Sequence, residues 1–320
     1  MSPRARVFAL VALAAVVASG VVVIGVLATR SNVPAPKLRA GRPPLALDFG
    51  LRTDAEARVL ERAQTLYNRG RPRQAAAIFS RQRSLEAHVG AALAAWPDDS
   101  VRRLQALDAD HPRSALVALH LGLALYWSHR DAEAASAWRD ATTVQPDTPY
   151  AVRASDFLHP RFAPGLPVFV PSFPTPVRIR TLAPERQLAT LARLAAHGGE
   201  RARILYGVAL QRLGRPRSAE AQFGAAARVA PNDPEALAAA AVGRFDKGDP
   251  SRAFGRLGPL TRRFPHAQTV RFHLGLLLLW MAQVQQARAE LRLARAESPE
   301  SLLGREASAY LSALRSVGTR

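Results

Sequence analysis

The sequence predicts an all-α fold, a stack of paired helices preceded by one membrane-spanning helix. Three observations predict it. A ten-residue stretch is spelled nearly twice, GRPRQAAAIF at 70–79 and GRPRSAEAQF at 214–223, with a weaker copy, GDPSRAFGRL, from Gly248. Prolines 231, 265 and 299 are spaced 34 residues apart twice over. The run from Val7 to Ala28 carries no charged residue.

Residues 1–6 form a short basic tail with Arg4 and Arg6. The 22 residues 7–28 that follow are long enough, at ~1.5 Å per helical residue, to cross a ~30 Å hydrocarbon core. A cleavable signal has a shorter apolar region of ~7–15 residues, so this span is read as an uncleaved anchor. Arg30, Lys37, Arg39 and Arg42 lie just beyond it, which by flanking charge alone would keep the rest of the chain inside. A short basic tail before a single N-terminal span nevertheless usually stays inside, and long domains translocate largely regardless of charge. The expectation is therefore an extracytoplasmic domain on a single-pass anchor. Residues 29–52 are proline-rich and read as a semi-extended linker.

Helical periodicity begins near Thr53, with apolar residues every three or four positions. Taking Gly207 as origin, Gly214 follows at +7, Ala219 at +12, Phe223 at +16, Ala226 at +19 and Pro231 at +24. Gly207 and Ala219 are small enough for two helices to approach closely. Gly214 suits the left-handed residue that ends a helix, and Pro216 suits the first turn of the next, where its missing N–H costs nothing. Phe223 fills the space between the two helices. The ten-residue stretch is thus the corner of a helical hairpin.

The same offsets recur from Gly122 (Ala134, Trp138, Ala141, Pro146), with His129 in place of the corner glycine. They recur from Ala241 (Gly248, Ala253, Leu257, Leu260, Pro265) and from Gly275 (Ala282, Ala287, Leu291, Ala294, Pro299). A rougher unit runs through Ala63, Gly70, Ala75 and Phe79, followed by a shortened copy from Gly90 to Pro112. This pattern resembles the tetratricopeptide repeat family, whose 34-residue hairpins carry these small, aromatic and proline positions. The resemblance implies a right-handed α-solenoid with blocks of repeats at 53–158 and 183–299. Between them lies a proline-rich insertion, 159–182. The residues after Pro146 look like the first helix of a further hairpin whose second helix is 184–197. Residues 300–320 supply a terminal helix over the last apolar face, as such arrays require.

Composition narrows the chemistry. With no cysteine, disulfides, thiolate metal sites and a cysteine nucleophile are excluded. The net charge of +19 invites a nucleic-acid reading. However, Lys37 and Lys247 are the only lysines, and the arginines are dispersed among acids at helical spacing. That looks like a GC-rich coding bias and a solvated helix face, so nucleic acid is not the expected partner. The histidines show no metal-ligand spacing. No phosphate loop, nucleophile elbow or paired-carboxylate motif is present. The expectation is a protein with no cofactor, no metal and no catalytic residue.

The resemblance implies a concave groove lined by the first helix of each hairpin. Position in the repeat then nominates Leu123, Tyr126 and Trp127; Val208 and Arg212; Val242 and Phe245; and Phe272, Leu276, Leu279 and Trp280 as partner-binding residues. The nominated surface is apolar with an occasional charge, and lacks the lysine and asparagine of the family's carboxylate-gripping surfaces. Phe162, Val168, Phe169, Val170 and Phe173 stand among prolines that keep them extended, so the insertion is expected to fold back and cover part of that groove. The functional expectation is a membrane-anchored scaffold for protein–protein interaction in a bacterial cell envelope. The alternative is binding of an anionic polymer or lipid headgroups through arginine-rich helix faces.

Overall fold

The structure, a computed structural model, describes residues 40–318; the expected span at 7–28 lies outside the described residues. The described chain divides into two compact units at Leu158/His159. It contains sixteen helices and no strand among the described residues.

The N-terminal unit holds α1 (Ala55–Asn68), α2 (Pro72–Phe79), α3 (Leu85–Ala94), α4 (Ser100–Asp110), α5 (Ala115–Trp127), α6 (Asp131–Val144) and α7 (Pro149–Leu158). They form three hairpins, α1–α2, α3–α4 and α5–α6, closed by α7, which packs on both α6 and α5. The core runs through Leu60, Tyr67, Phe79, Leu93, Leu104, Leu119 and Leu123, all fully buried.

The C-terminal unit begins with an extended segment and the single turn α8 (Val177–Arg180). It continues as α9 (Pro184–His197), α10 (Glu200–Arg212), α11 (Pro216–Val229), α12 (Pro234–Val242), α13 (Ser251–Arg263), α14 (Gln268–Trp280), α15 (Val284–Glu297) and α16 (Leu302–Gly318). Three hairpins, α10–α11, α12–α13 and α14–α15, lie between α9 and the closing helix α16. Leu303, Ala307, Tyr310, Leu311 and Leu314 bury one face of α16, which covers the last hairpin. The expected pairing of 147–158 with 184–197 is not how these helices are used. α7 is held by α5 and α6 in one unit, and α9 by α10 in the other.

Corner chemistry explains why hairpins form. Gly70 and Gly214 take φ of 85° and 67°. In each corner the next N–H reaches back to close the helix end: Arg71 to the Leu66 carbonyl and Arg215 to the Leu210 carbonyl, both at 2.9 Å. This is the left-handed helix stop that glycine makes without a Cβ penalty. His129 and Ala282 adopt the same conformation, with φ of 60° and 57°. Their neighbours close the same bond, Arg130 to Leu125 and Gln283 to Leu278. The corner before α13 departs from this pattern: α12 stops early at Val242, capped by Gly243, and residues 243–250 form a longer connection.

At three of the hairpins the small residue admits a ring of the facing helix. A Cβ on Gly207 would lie 2.4 Å from the Phe223 ring, and one on Gly122 would lie 2.4 Å from the Trp138 indole. Gly90 faces the Phe79 ring in the same way, while Gly275 faces the Leu291 side chain and the Ala287 carbonyl. Gly207→Ala is therefore expected to overpack the α10–α11 crossing and cost about 1–3 kcal/mol. A thermal melt of the variant at wild-type midpoint would show that the ring has room to move aside.

Candidate functional site

Each unit carries an extended segment laid across the first helices of its hairpins. In the C-terminal unit this strap is 162–174, part of the proline-rich insertion. Phe169 is fully buried in the core; Phe162, Leu166, Val168, Val170 and Phe173 pack against it. The strap is held mainly by its backbone. Phe169 N–H donates to Gln211 Oε1 at 2.9 Å, and the Gln211 amide donates to the Pro167 carbonyl at 3.3 Å. Val170 N–H donates to His273 Nε2 at 3.0 Å. Ser172 N–H donates to the buried Glu235 carboxylate at 2.7 Å, and Lys247 Nζ donates to the Ala163 carbonyl at 2.6 Å. The expected cover over the first helices is present.

The N-terminal unit has a strap as well, in the stretch read from sequence as a linker. Leu45, Ala46 and Leu47 are buried. Leu45 N–H donates to Asn68 Oδ1 at 3.2 Å, and the Asn68 amide returns a bond to the Leu45 carbonyl at 3.0 Å. Ala46 N–H donates to His120 Nε2 at 3.1 Å. Leu47 N–H donates to Gln64, the Tyr67 hydroxyl to the Pro43 carbonyl, and Asp48 N–H to the Tyr150 hydroxyl.

The two sites share a strap register and a histidine, while the other side chains that grip the straps differ. His120 and His273 fall at matching places in ALVALHLGLALYW (α5) and QTVRFHLGLLLLW (α14). The straps align as GRPPLALDF (41–49) and GLPVFVPSF (165–173). Gly41 and Gly165 both have positive φ, 109° and 82°. Leu45 and Phe169 give their N–H to a side-chain amide; the next residue gives its N–H to histidine. Prolines 43 and 167 have no N–H to satisfy and serve as acceptors.

The histidine chemistry is fixed by these bonds. Because each Nε2 accepts a strap N–H, the proton sits on Nδ1, which donates to the carbonyl four residues back: Leu116 for His120 and Thr269 for His273, both at 2.7 Å. Burial is complete, and desolvation holds both imidazoles neutral with a pKa near about 4. The Phe169 ring stacks on His273 with centroids 4.1 Å apart. Burial also pushes the Glu235 carboxyl up, against the bonds it accepts from Ser172 and Thr269.

The residues nominated from sequence divide into those along a strap and those in the core. Phe245 meets Phe162 of the strap at 6.3 Å between centroids. Trp280 lies beside Phe245 and under Lys247, the residue that grips Ala163. Phe272 instead faces Tyr310 of the closing helix. Leu123, Val208, Val242, Leu276 and Leu279 are buried core residues. Trp127 is buried beside half-buried Tyr126, and Arg212 is largely buried, which lowers its pKa. The polar groups that grip the straps, Asn68, His120, Tyr150, Glu235, Lys247 and His273, were not nominated. The signal that could have found them is the repeated HLGL followed by tryptophan, read together with the two G-x-P segments.

Among the described residues, no group of His, Cys, Asp or Glu is arranged to hold a metal ion. What the arrangement can do is hold an extended chain by its backbone, with apolar side chains sunk beside it.

No protein-family model matches the sequence, and no curated protein matches it. Among solved structures the chain is similar to the APC/C hetero-tetramer Cut9–Hcn1, at 15% identity and a TM-score of 0.27. The match covers 80% of this chain and 55% of that one. What the chain's own residues establish is its architecture: two all-helical units of paired helices, each with an extended segment gripped across its first helices.

Proposed function

We propose that the protein is a tetratricopeptide-type scaffold for protein–protein interaction, whose first helices hold extended, proline-containing segments. An N-terminal span at 7–28 carries it on a bacterial cytoplasmic membrane, with the helical units on the extracytoplasmic side, serving envelope assembly or a membrane complex. One observation supports the interaction reading: both units grip an extended segment through its backbone N–H and carbonyl groups, each using a side-chain amide and a fully buried histidine, the histidines at the same position of their helices. Main-chain hydrogen bonds with seats for alternate side chains are one way in which proteins bind extended peptide segments.

The test is crosslinking in intact membranes followed by co-purification through the full chain. A discrete set of protein partners is expected, and their absence would overturn the scaffold reading. Protease added to spheroplasts is expected to digest residues 53–320; full protection would place the units on the cytoplasmic side.

One feature favours the second reading, binding of an anionic polymer or headgroup. Arg288, Arg292, Arg295 and Arg315 line a small pocket with Leu311 between α15 and α16. Binding through them would fall steeply with salt, whereas binding along the straps would change little.

A further inference from the structure

Several arginines of this chain are answered by acids. Arg102 and Arg103 share Asp99 at 2.7 Å each, Arg130 meets Glu133, and Arg271 meets Glu290 at 3.1 Å. The outer face of α15 is different. Arg288, Arg292 and Arg295 stand four and three residues apart in sequence, which puts them on one face of the helix. With Leu311 and Arg315 of α16 they line one small pocket, and no acid lines it. The two carboxylates of α15 are engaged elsewhere, Glu290 with Arg271 and Glu297 with His266 Nδ1 at 3.2 Å.

Two of the four guanidinium groups are oriented by neutral acceptors. Arg288 Nη2 donates to the Leu314 carbonyl at 2.6 Å, and Arg315 Nη2 donates to Ser312 Oγ at 3.1 Å. These bonds position a cation without neutralising it. Arg292 and Arg295 are exposed, and neither makes an ion pair among the described residues. Like charges three and four residues apart on a helix repel and destabilise it, so the cluster works against α15 until an anion enters. Leu311, the one uncharged lining residue, is buried. A cleft lined by one sign of charge beside an apolar wall focuses its field and concentrates counter-ions.

We propose that the pocket formed by Arg288, Arg292, Arg295 and Arg315 binds a compact phosphate group, either free or as the monoester headgroup of a lipid. This rests on the second reading, binding of an anion, and gives it a place and a ligand; it does not depend on the straps. The planar guanidinium fork matches phosphate oxygens two at a time. The pocket is small, which suits one such group rather than a run of them along a polymer.

The probes are inorganic phosphate and the water-soluble dihexanoylphosphatidic acid, each titrated calorimetrically into the full chain in detergent, with dihexanoylphosphatidylcholine as the control lipid. Saturable binding of a phosphate probe is expected, and the control lipid is expected not to bind. The tighter of the two phosphate probes identifies the source. Arg292→Gln with Arg295→Gln changes two exposed side chains and is expected to weaken binding about tenfold. Arg292→Lys with Arg295→Lys keeps the charge, loses the fork and is expected to recover only part of that loss. Arg256→Gln with Arg262→Gln removes the same charge from exposed positions of α13 and is expected to leave binding unchanged. Saturating probe is also expected to raise the melting midpoint of wild type, and not that of the Arg292→Gln, Arg295→Gln chain. Binding that survives Arg292→Gln with Arg295→Gln, full recovery by the lysine pair, or equal binding of the control lipid would each overturn the proposal. An equal loss in the α13 pair would remove this site and keep the anion reading as diffuse attraction. If neither phosphate probe binds, the site falls; if heparin at low salt does not bind either, the anion reading falls with it.

Discussion

Between pH 6.5 and pH 4 the protein is expected to lose about 3 kcal/mol of stability for each of His120 and His273. In the folded chain both are held near about 4 by burial, against an ordinary value of 6.5. Across that window the unfolded chain takes up protons that the folded chain refuses, so acid favours unfolding by about 1.4 kcal/mol per pH unit for each ring. Protonation would also turn Nε2 from acceptor to donor, facing the strap N–H of Ala46 or Val170. Arg153 acts in the same direction at His120. Glu235, whose carboxyl is raised by burial, acts oppositely, because its folded form gains a proton more readily than its unfolded form. The histidine contribution is therefore read as a difference. Denaturant unfolding of His273→Phe should show a shallower decline from pH 6.5 to 4 than wild type, and the same slope in both would refute the account.

Phe169→Ala is expected to cost about 3–5 kcal/mol, the range for deleting a buried aromatic and leaving a cavity. Phe169 is fully buried, stacks on His273 and tilts against Phe223 at 5.8 Å. It is thus the one strap residue that touches two hairpins through rings. Equilibrium unfolding in guanidinium should show the loss in the C-terminal unit. A change under about 1 kcal/mol would mean the strap adds little to the core it lies on.

Hairpin corners were legible in the sequence because each demands a particular residue type. Gly70 and Gly214 have positive φ, Pro72 and Pro216 open a helix, and Phe79, Trp138 and Phe223 fill the space over a glycine. The covering role of 162–173 was legible too, since its aromatic residues stand among prolines. The strap at 41–49 was not, because proline-rich composition reads as linker and its seat is made by backbone groups, which leave no mark in the strap's own side chains. The marks lie on the partners instead: Gln64 and Asn68 are lost among the polar residues of α1, and His120 is a lone polar residue in an apolar helix. His120 and His273 look like isolated core histidines until α5 and α14 are aligned. Leu123, Val208, Leu276 and Leu279 show the converse difficulty. First helices such as α5 and α14 are buried nearly all round, so hydropathy does not separate core from groove.

The straps also set an order in time. Each precedes the helices that seat it: Ala46 is 74 residues ahead of His120, and Val170 is 103 ahead of His273. At about 5–20 residues per second of synthesis, a strap waits roughly 4–20 s after it is made before its histidine exists. A finished set of first helices, in contrast, never exists without its own strap already attached. During translation each strap is thus present before its seat is complete, so any competing segment meets a seat that already has its resident tethered to it.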